Sequence, residues 1–209
     1  MSNKSRAYNI AIIPPKKISD KAIRISRFLK KFGVFFTLDG KNYFPHMTVY
    51  MVEFPNKNLE QVKEVLEQIS KKIKNFKVQS LTYKHIAYGH SGGWVHVDFK
   101  NTPPLMKLQK EIIFSANKLR GGLLMNDDKA RISSAPDQMK KNLKTYGYSN
   151  AFYKFSAPHI TFTRLKKPDS KSLAEIKKYN FSFEVTKFGL FEKGKHGTCR
   201  KLVKEFKLK

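Results

Sequence analysis

The amino-acid sequence predicts an α+β fold with two lobes, each in the element order β-α-β-β-α-β and related by pseudo-twofold symmetry. One observation is that β-like apolar stretches and amphipathic segments follow the same order in both halves of the 209-residue chain. The other is a pair of near copies on corresponding strands, Pro45-His46-Met47-Thr48-Val49 and Pro158-His159-Ile160-Thr161-Phe162. We expect antiparallel-rich sheets to line a central cleft, with the helices outside.

The first lobe covers about residues 6–90. Pro14-Pro15 ends its first strand, because proline cannot donate to a sheet. The apolar residues of its second helix are spaced three and four apart from Leu59 to Ile73, which is typical of an amphipathic helix. In chain order, the predicted elements are a strand over 8–13, a helix over 19–33, strands over 34–38 and 47–52, a helix from 58 and a β segment over 76–88.

The second lobe, about residues 91–209, repeats this order with longer connections. Its predicted elements are a strand over 94–99, a helix over 102–120, a short strand over 121–125, a strand over 158–165, a helix over 170–178, a strand over 181–191 and a final strand. Residues 126–155 are predicted to be a loop-rich insertion with one short helix after Pro136, either a lid or a disordered segment. Only a short glycine-rich turn over 89–93 separates the lobes, which favours a single bilobal domain over 1–209.

The chain is strongly basic. Its 42 Lys and Arg residues against 16 Asp and Glu residues give a formal net charge of +26. A field of this size attracts polyanions and accelerates their encounter, so we expect RNA or a nucleotide as the partner. Biased genomic composition is the alternative explanation, because lysine dominates over arginine.

Cysteine content and hydropathy exclude several classes of protein. The single cysteine, Cys199, rules out an internal disulfide and a cysteine-based zinc cluster. The apolar stretch near the N-terminus is too short to cross a membrane. We expect no cofactor, no metal, no membrane partner and no obligate protein partner, and a cytoplasmic location.

Each motif places a histidine and a threonine on one face of a strand, because side chains at i and i+2 point to the same side. These pairs are His46 with Thr48 and His159 with Thr161. Two imidazoles can divide the general acid and general base roles near neutral pH, and the hydroxyls are donors for phosphate oxygens. Pseudo-twofold symmetry would bring the two pairs together across the cleft. The sequence leaves open which histidine is the base.

Doubled His-x-Thr-hydrophobic motifs in a duplicated frame of this length resemble the two-histidine phosphoesterase superfamily, which includes 2′-5′ RNA ligase-like proteins and cyclic nucleotide phosphodiesterases. His46-Met47-Thr48-Val49 and His159-Ile160-Thr161-Phe162 carry the resemblance. It implies a bilobal fold, metal-independent chemistry and substrates with 2′,3′-cyclic phosphates or 2′-5′ linkages. It also implies that His46 and His159 are catalytic and that Thr48 and Thr161 bind phosphate, in hydrolysis or in the reverse ligation.

Residues near the motifs are candidates for substrate binding. Alternation continues the inward-facing series to Tyr50 and Thr163, which either line the cleft or simply pack. Arg164 could reach a phosphate, although strict alternation puts it on the opposite face. Phe44 and Phe155 could stack a base, although aromatic residues that flank strands are more often core. The remaining histidines lack a partner at catalytic or metal-ligand spacing and are expected to be surface or strand residues: His85, His90, His96 and His196.

Two other functions stay open. The protein could be a non-catalytic basic RNA-binding module that keeps the fold, or a hydrolase of a small metabolic cyclic phosphate such as ADP-ribose 1″,2″-cyclic phosphate. Two complete motifs favour an enzyme over a binding module, because binding alone requires neither histidine.

Overall fold

The described residues form eight strands and five α-helices, in an order that matches the predicted one in part. The structure is a computed structural model that describes residues 4–81, 93–167 and 181–209. Its strands are β1 (Ser5–Ile12), β2 (Met47–Pro55), β3 (Phe76–Val78), β4 (Trp94–Asp98), β5 (His159–Arg164), β6 (Phe183–Val185), β7 (Lys187–Lys193) and β8 (Cys199–Lys207). Its α-helices are α1 (Lys16–Leu29), α2 (Leu59–Ser70), α3 (Pro103–Ala116), α4 (Asn126–Arg131) and α5 (Asp137–Tyr146).

An antiparallel six-stranded sheet in the order β4-β5-β2-β1-β7-β8 is the main layer of the described residues, and β3 pairs separately with β6. The motif strands β2 and β5 are neighbours in its middle and pair at Met47 and Ile160. β1 flanks β2 as β4 flanks β5, so this arrangement repeats about a local twofold at that contact. β7 and β8 continue the sheet beyond β1, so it contains strands from both halves of the chain. The predicted α+β class with antiparallel sheets is confirmed.

Helices α1, α2 and α3 pack on one face of the sheet. α1 contacts β5, α3 contacts β2, and α2 contacts α3 and β8. Fully buried aliphatic side chains on these elements include Ile10, Val52, Leu66, Ile112 and Ile160. Each side chain of this size that leaves water contributes about 1.5–3 kcal/mol to stability. The other face of the sheet carries the histidines and threonines of the two motifs and is called the cleft face below.

The insertion over 126–155 is helical and packed, which differs from the predicted loop-rich lid or disordered segment. It contains α4, α5 and a 3₁₀ turn. Arg120, only 5% exposed, ties its base together, because the guanidinium donates to the carbonyls of Leu123 and Lys144 at 2.5 and 2.9 Å. Contacts between distant segments leave no periodic pattern in the sequence. The sequence therefore predicts only the helix after Pro136 and not the packing of the insertion.

Two predicted strands do not form as strands in the structure. Residues 34–38 make only one isolated bridge, and 121–125 begin as a turn. Gly33 at φ 74° and Gly121 at φ 59° adopt a left-handed backbone, which interrupts extended pairing. The predicted helix over 170–178, residues 82–88 of the predicted β segment and residues 89–92 of the predicted turn lie outside the described residues. No helix in the described ranges is long and apolar enough to cross a membrane.

Candidate active site

A β-bulge follows the threonine of the first motif. Between β1 and β2, Ala11 lies opposite Thr48 but Ile10 lies opposite Tyr50, so Val49 is an extra residue on β2. An extra residue shifts the side-chain alternation by one position. The residues of β2 that follow Val49 therefore change faces relative to the residues before it.

The second motif has a bulge at the corresponding place. Between β4 and β5, His96 lies opposite Thr161 but Val95 lies opposite Thr163, so Phe162 is the extra residue. In both motifs the bulged residue comes directly after the threonine. The two motifs are therefore alike both in sequence and in the position of a β-bulge in their strands.

The bulges turn two predicted substrate-binding residues into the core. Tyr50 and Thr163 are completely buried. The Tyr50 hydroxyl donates to the Tyr146 carbonyl at 2.6 Å, and the Thr163 hydroxyl donates to the Phe36 carbonyl at 2.5 Å. Of the two alternatives for these residues, the structure shows packing. The substrate-binding alternative is wrong, because it assumed strict alternation through each strand.

Arg164, in contrast, is turned to the cleft face, which corrects the side predicted by strict alternation. Its guanidinium carbon lies 5.0 Å from the ring centroid of Phe35 and 5.3 Å from that of Trp94. Its Nη1 lies 3.2 Å from Nδ1 of His196. Cation–π contacts and this hydrogen bond hold the guanidinium beside the second motif, where an anion could meet it.

The histidines of the two motifs are held in the same way. Nδ1 of His46 lies 2.8 Å from the Phe44 carbonyl oxygen, and Nδ1 of His159 lies 2.8 Å from the Ala157 carbonyl oxygen. A carbonyl can only accept, so each Nδ1 carries the proton and each neutral ring keeps its lone pair on Nε2. The two rings therefore present the same nitrogen for proton exchange.

The His46 ring is buried, with 8% of the residue exposed. Burial lowers its pKa below the ordinary value for histidine, because a charged ring loses hydration there. The backbone carbonyls of Phe44 and Gly197 act in the opposite direction, since both stabilise the protonated ring.

Several groups around the His159 ring change its pKa. Burial and then the imidazole of His96 lower the pKa of His159 to about 4, and His46 adds to this lowering. The Ala157 carbonyl and the Asp98 carboxylate act in the opposite direction. The residues that follow the two histidines, Met47 and Ile160, pair directly, so the histidines lie on neighbouring strands.

Asn9 connects the first motif to a turn near the end of the chain. Its side-chain Nδ2 donates to the Thr48 hydroxyl oxygen at 3.1 Å and to the Gly197 carbonyl at 3.2 Å. Thr48 and Thr161 are both half-buried on the cleft face. Because the Thr48 oxygen accepts from Asn9, its own proton is available for donation into the cleft.

The two predicted stacking aromatics differ in exposure. Phe44 is half-buried, packs on Phe191 at a ring distance of 5.4 Å and pairs its backbone with Cys199. Phe155 is 40% exposed, and its backbone N–H donates to Asn150 Oδ1 at 3.0 Å. Phe44 thus has a packing role, and Phe155 keeps an accessible ring.

Several residues at the site escape prediction from sequence. His96 and His196 were expected to be surface or strand residues, yet one contacts His159 and the other Arg164. Their spacing in sequence carries no signal, because the contacts depend on which strands become neighbours. Asn9 had a weak signal, as a polar residue in an otherwise apolar β stretch. Within the described residues, no three His, Cys, Asp or Glu side chains are grouped closely enough to hold a metal ion.

Solved structures share this architecture along almost the whole chain. TT0787 of Thermus thermophilus superposes with a TM-score of 0.60 at 14% identity and covers 97% of both chains. E. coli LigT in its apo form superposes with a TM-score of 0.56 at 16% identity over 98% of both chains. A phosphoesterase matches with a TM-score of 0.59 at 16% identity over 98% of this chain and 99% of the other.

The chain has the LigT fold. The resemblance to two-histidine phosphoesterases that the sequence predicts is thereby confirmed at the level of the fold. No protein-family model and no curated protein matches the sequence. LigT itself has also been solved in complexes with 3′-AMP and with phosphate, which superpose on this chain with TM-scores of 0.56 and 0.51.

Proposed function

We propose that the protein is a metal-independent phosphodiesterase that acts on RNA or nucleotides with 2′,3′-cyclic phosphates or 2′-5′ linkages. The observation that carries the proposal is the matched pair of imidazoles on neighbouring strands, each with Nδ1 on a backbone carbonyl and Nε2 left for proton exchange. The likeness to LigT, which binds 3′-AMP and phosphate, supports a nucleotide phosphate as the ligand. The net charge of +26 supports a polyanionic substrate.

The surroundings of the two rings favour His46 as the general acid and His159 as the general base in hydrolysis. Two backbone carbonyls beside His46 stabilise its protonated form. His159 has one such carbonyl and the Asp98 carboxylate on that side, but burial and a second imidazole that faces it outweigh them and lower its pKa to about 4. An acid must begin protonated and a base must begin unprotonated, so the two environments suit opposite roles.

In the proposed hydrolysis, Nε2 of His159 takes a proton from water while the water oxygen bonds to phosphorus. The bond from phosphorus to one ribose oxygen breaks, and His46 gives its proton to that oxygen, leaving a phosphomonoester and a hydroxyl. Hydroxyl protons of Thr48 and Thr161 and the guanidinium of Arg164 would stabilise the non-bridging oxygens. With the two histidine roles exchanged, the same site would join a hydroxyl to a cyclic phosphate as an RNA ligase.

The test is to incubate the protein in chelator with oligonucleotides ending in 2′,3′-cyclic phosphate and with 2′-5′-linked dimers. We expect metal-free turnover, and identification of the product phosphate position gives the bond that breaks. His46→Ala and His159→Ala should each abolish the turnover. Unchanged turnover in both variants would overturn the proposal.

A second arm of this test compares a cyclic mononucleotide with an oligonucleotide at low and moderate salt. If RNA is the substrate, the oligonucleotide is preferred and the preference falls as salt rises, because the basic surface contributes to its binding. An equal rate on both at every salt concentration would favour a small metabolic cyclic phosphate. Salt-dependent RNA binding without turnover would favour a binding module.

A further inference from the structure

Strand β4 brings a third histidine to the second motif. In its pairing with β5, His96 lies opposite Thr161 and Asp98 lies opposite His159. Nε2 of His96 is 3.2 Å from Oδ1 of Asp98, and only 11% and 12% of the two side chains are exposed. The carboxylate lies beside one defined ring nitrogen, so its negative charge favours this orientation of the imidazole.

The first motif lacks this pair. On β1 the position that corresponds to His96 is occupied by Ala11, which lies opposite Thr48 as His96 lies opposite Thr161. Ala11 is packed in a small apolar cluster that includes Phe191. The local twofold therefore relates the two motif histidines to each other, but not the side chains on the strand beside each one.

His96 lies directly against His159. Their ring centroids are 4.7 Å apart and the ring planes are inclined by 41°. The Ala157 carbonyl holds His159 at Nδ1, so the ring is fixed at one edge by the backbone and on one face by His96. A proton on either of two imidazoles at this separation disfavours a proton on the other.

We propose that His96, oriented by Asp98, is a positioning residue for His159, fixing its ring against β4 and keeping it in the proton-accepting form. The inference rests on the proposed function, because it concerns how the histidine of the second motif serves as the base. Among the described residues, the titratable groups that face His96 are His159 on β5 and Asp98 on β4.

The first test follows the imidazole protons of His159 by NMR without substrate, assigned by their loss in His159→Ala. In His96→Phe, which keeps a ring but removes its two nitrogens, the titration midpoint of His159 should rise by about one pH unit. His96→Gln is a second variant with the same expected direction. His196→Phe is the matched control, because that ring contacts Arg164 instead.

An unchanged His159 midpoint in both His96 variants would overturn the proposal. An equal rise of the His159 midpoint in His196→Phe would also overturn the proposal, because the effect would then not depend on contact with His159. This titration needs no substrate, so it tests the positioning role separately from the proposed enzymatic activity.

The second test measures kcat/KM for a 2′,3′-cyclic nucleotide as a function of pH. In His96→Phe the acidic limb should move upward by the same amount, so kcat/KM on that limb falls about tenfold while the plateau is retained. A uniform loss at every pH would indicate a merely structural role and overturn the proposal. A protein in which His159 titrates as expected but no cyclic phosphate is hydrolysed would overturn the proposed function alone.

Discussion

The side-chain amide of Asn9 donates to the hydroxyl oxygen of Thr48 at 3.1 Å, which ties the first strand of the chain to the first motif. Asn9 is completely buried and also holds the Gly197 carbonyl. It therefore determines the direction in which the Thr48 proton can be donated. On the proposed function, this makes Asn9 a positioning residue for phosphate stabilisation.

Asn9→Ala should lower kcat about tenfold with little change in KM, because the lost orientation of the Thr48 hydroxyl matters most in the transition state. Steady-state kinetics on a cyclic nucleotide measure this. Asn142→Ala is the control, because Asn142 is also buried and also donates to a backbone carbonyl, that of Ser149 in the insertion. Equal losses of kcat in both variants would show that the effect is one of folding.

Arg164→Lys should reduce kcat/KM for a cyclic nucleotide by about 10- to 100-fold, although the charge is kept. Lysine cannot reproduce the planar contacts of the guanidinium with Phe35 and Trp94 or its fork of donors for phosphate. The measurement is kcat/KM with the melting temperature recorded alongside. Arg131→Lys is the control and should keep full activity, because this arginine is in an ion pair with Asp128 of α4.

The pH dependence of stability follows from the lowered pKa values of His46 and His159. A histidine with a depressed pKa binds fewer protons folded than unfolded between its folded pKa and the ordinary value of about 6.5. Its stabilising contribution is therefore complete above about pH 6.5 and is lost as the pH falls toward the folded value, which is about 4 for His159.

The free energy of unfolding should accordingly fall between pH 6.5 and 4, by at most about 1.4 kcal/mol per pH unit for each such histidine. Urea denaturation at several pH values measures it. His159→Phe should flatten the slope over this window relative to the wild type. The same slope in both proteins would contradict the direction of the His159 shift.

Gln109→Met should lower both stability and kcat. Nε2 of Gln109 donates to the carbonyl of the bulged Val49 at 2.9 Å, so the substitution leaves that buried carbonyl without its partner. We expect a loss of about 1 kcal/mol, since the Gln109 Oε1 atom is itself unpaired and its removal offsets part of the cost. Calorimetry and kcat together check it. Gln138→Met in α5, whose partner is a side chain, should leave kcat unchanged.

The sequence predicts the centre of the site better than its edges. The repeated motif singles out His46, Thr48, His159 and Thr161. Each His and Thr pair is correctly placed on one face, because a period of two operates over three residues, too short a span for a bulge to intervene. Two positions further along, the same argument fails for Tyr50. The bulge at Val49 is set by pairing with β1, and nothing in the local residue pattern marks it.

The side chains that surround each motif are set by which strands pair with the motif strand, and no local sequence pattern encodes that pairing. His96 was expected to be a surface or strand residue, because it has no partner at catalytic or metal-ligand spacing in the sequence. Only the pairing of β4 with β5 places them together. The fold class was predictable for the opposite reason, since the order of apolar stretches and amphipathic segments is a local property.

The position of β1 between β2 and β7 has a consequence for biosynthesis. β1 pairs with residues from near the opposite end of the sequence, and the Gly197 carbonyl that Asn9 holds comes later still. During translation, β1 and β2 are synthesised well before β7. One edge of β1 therefore stays unpaired until β7 has left the ribosome. Pairing between strands so far apart in the sequence predicts slow folding and a period in which the nascent chain is exposed to aggregation or bound by chaperones.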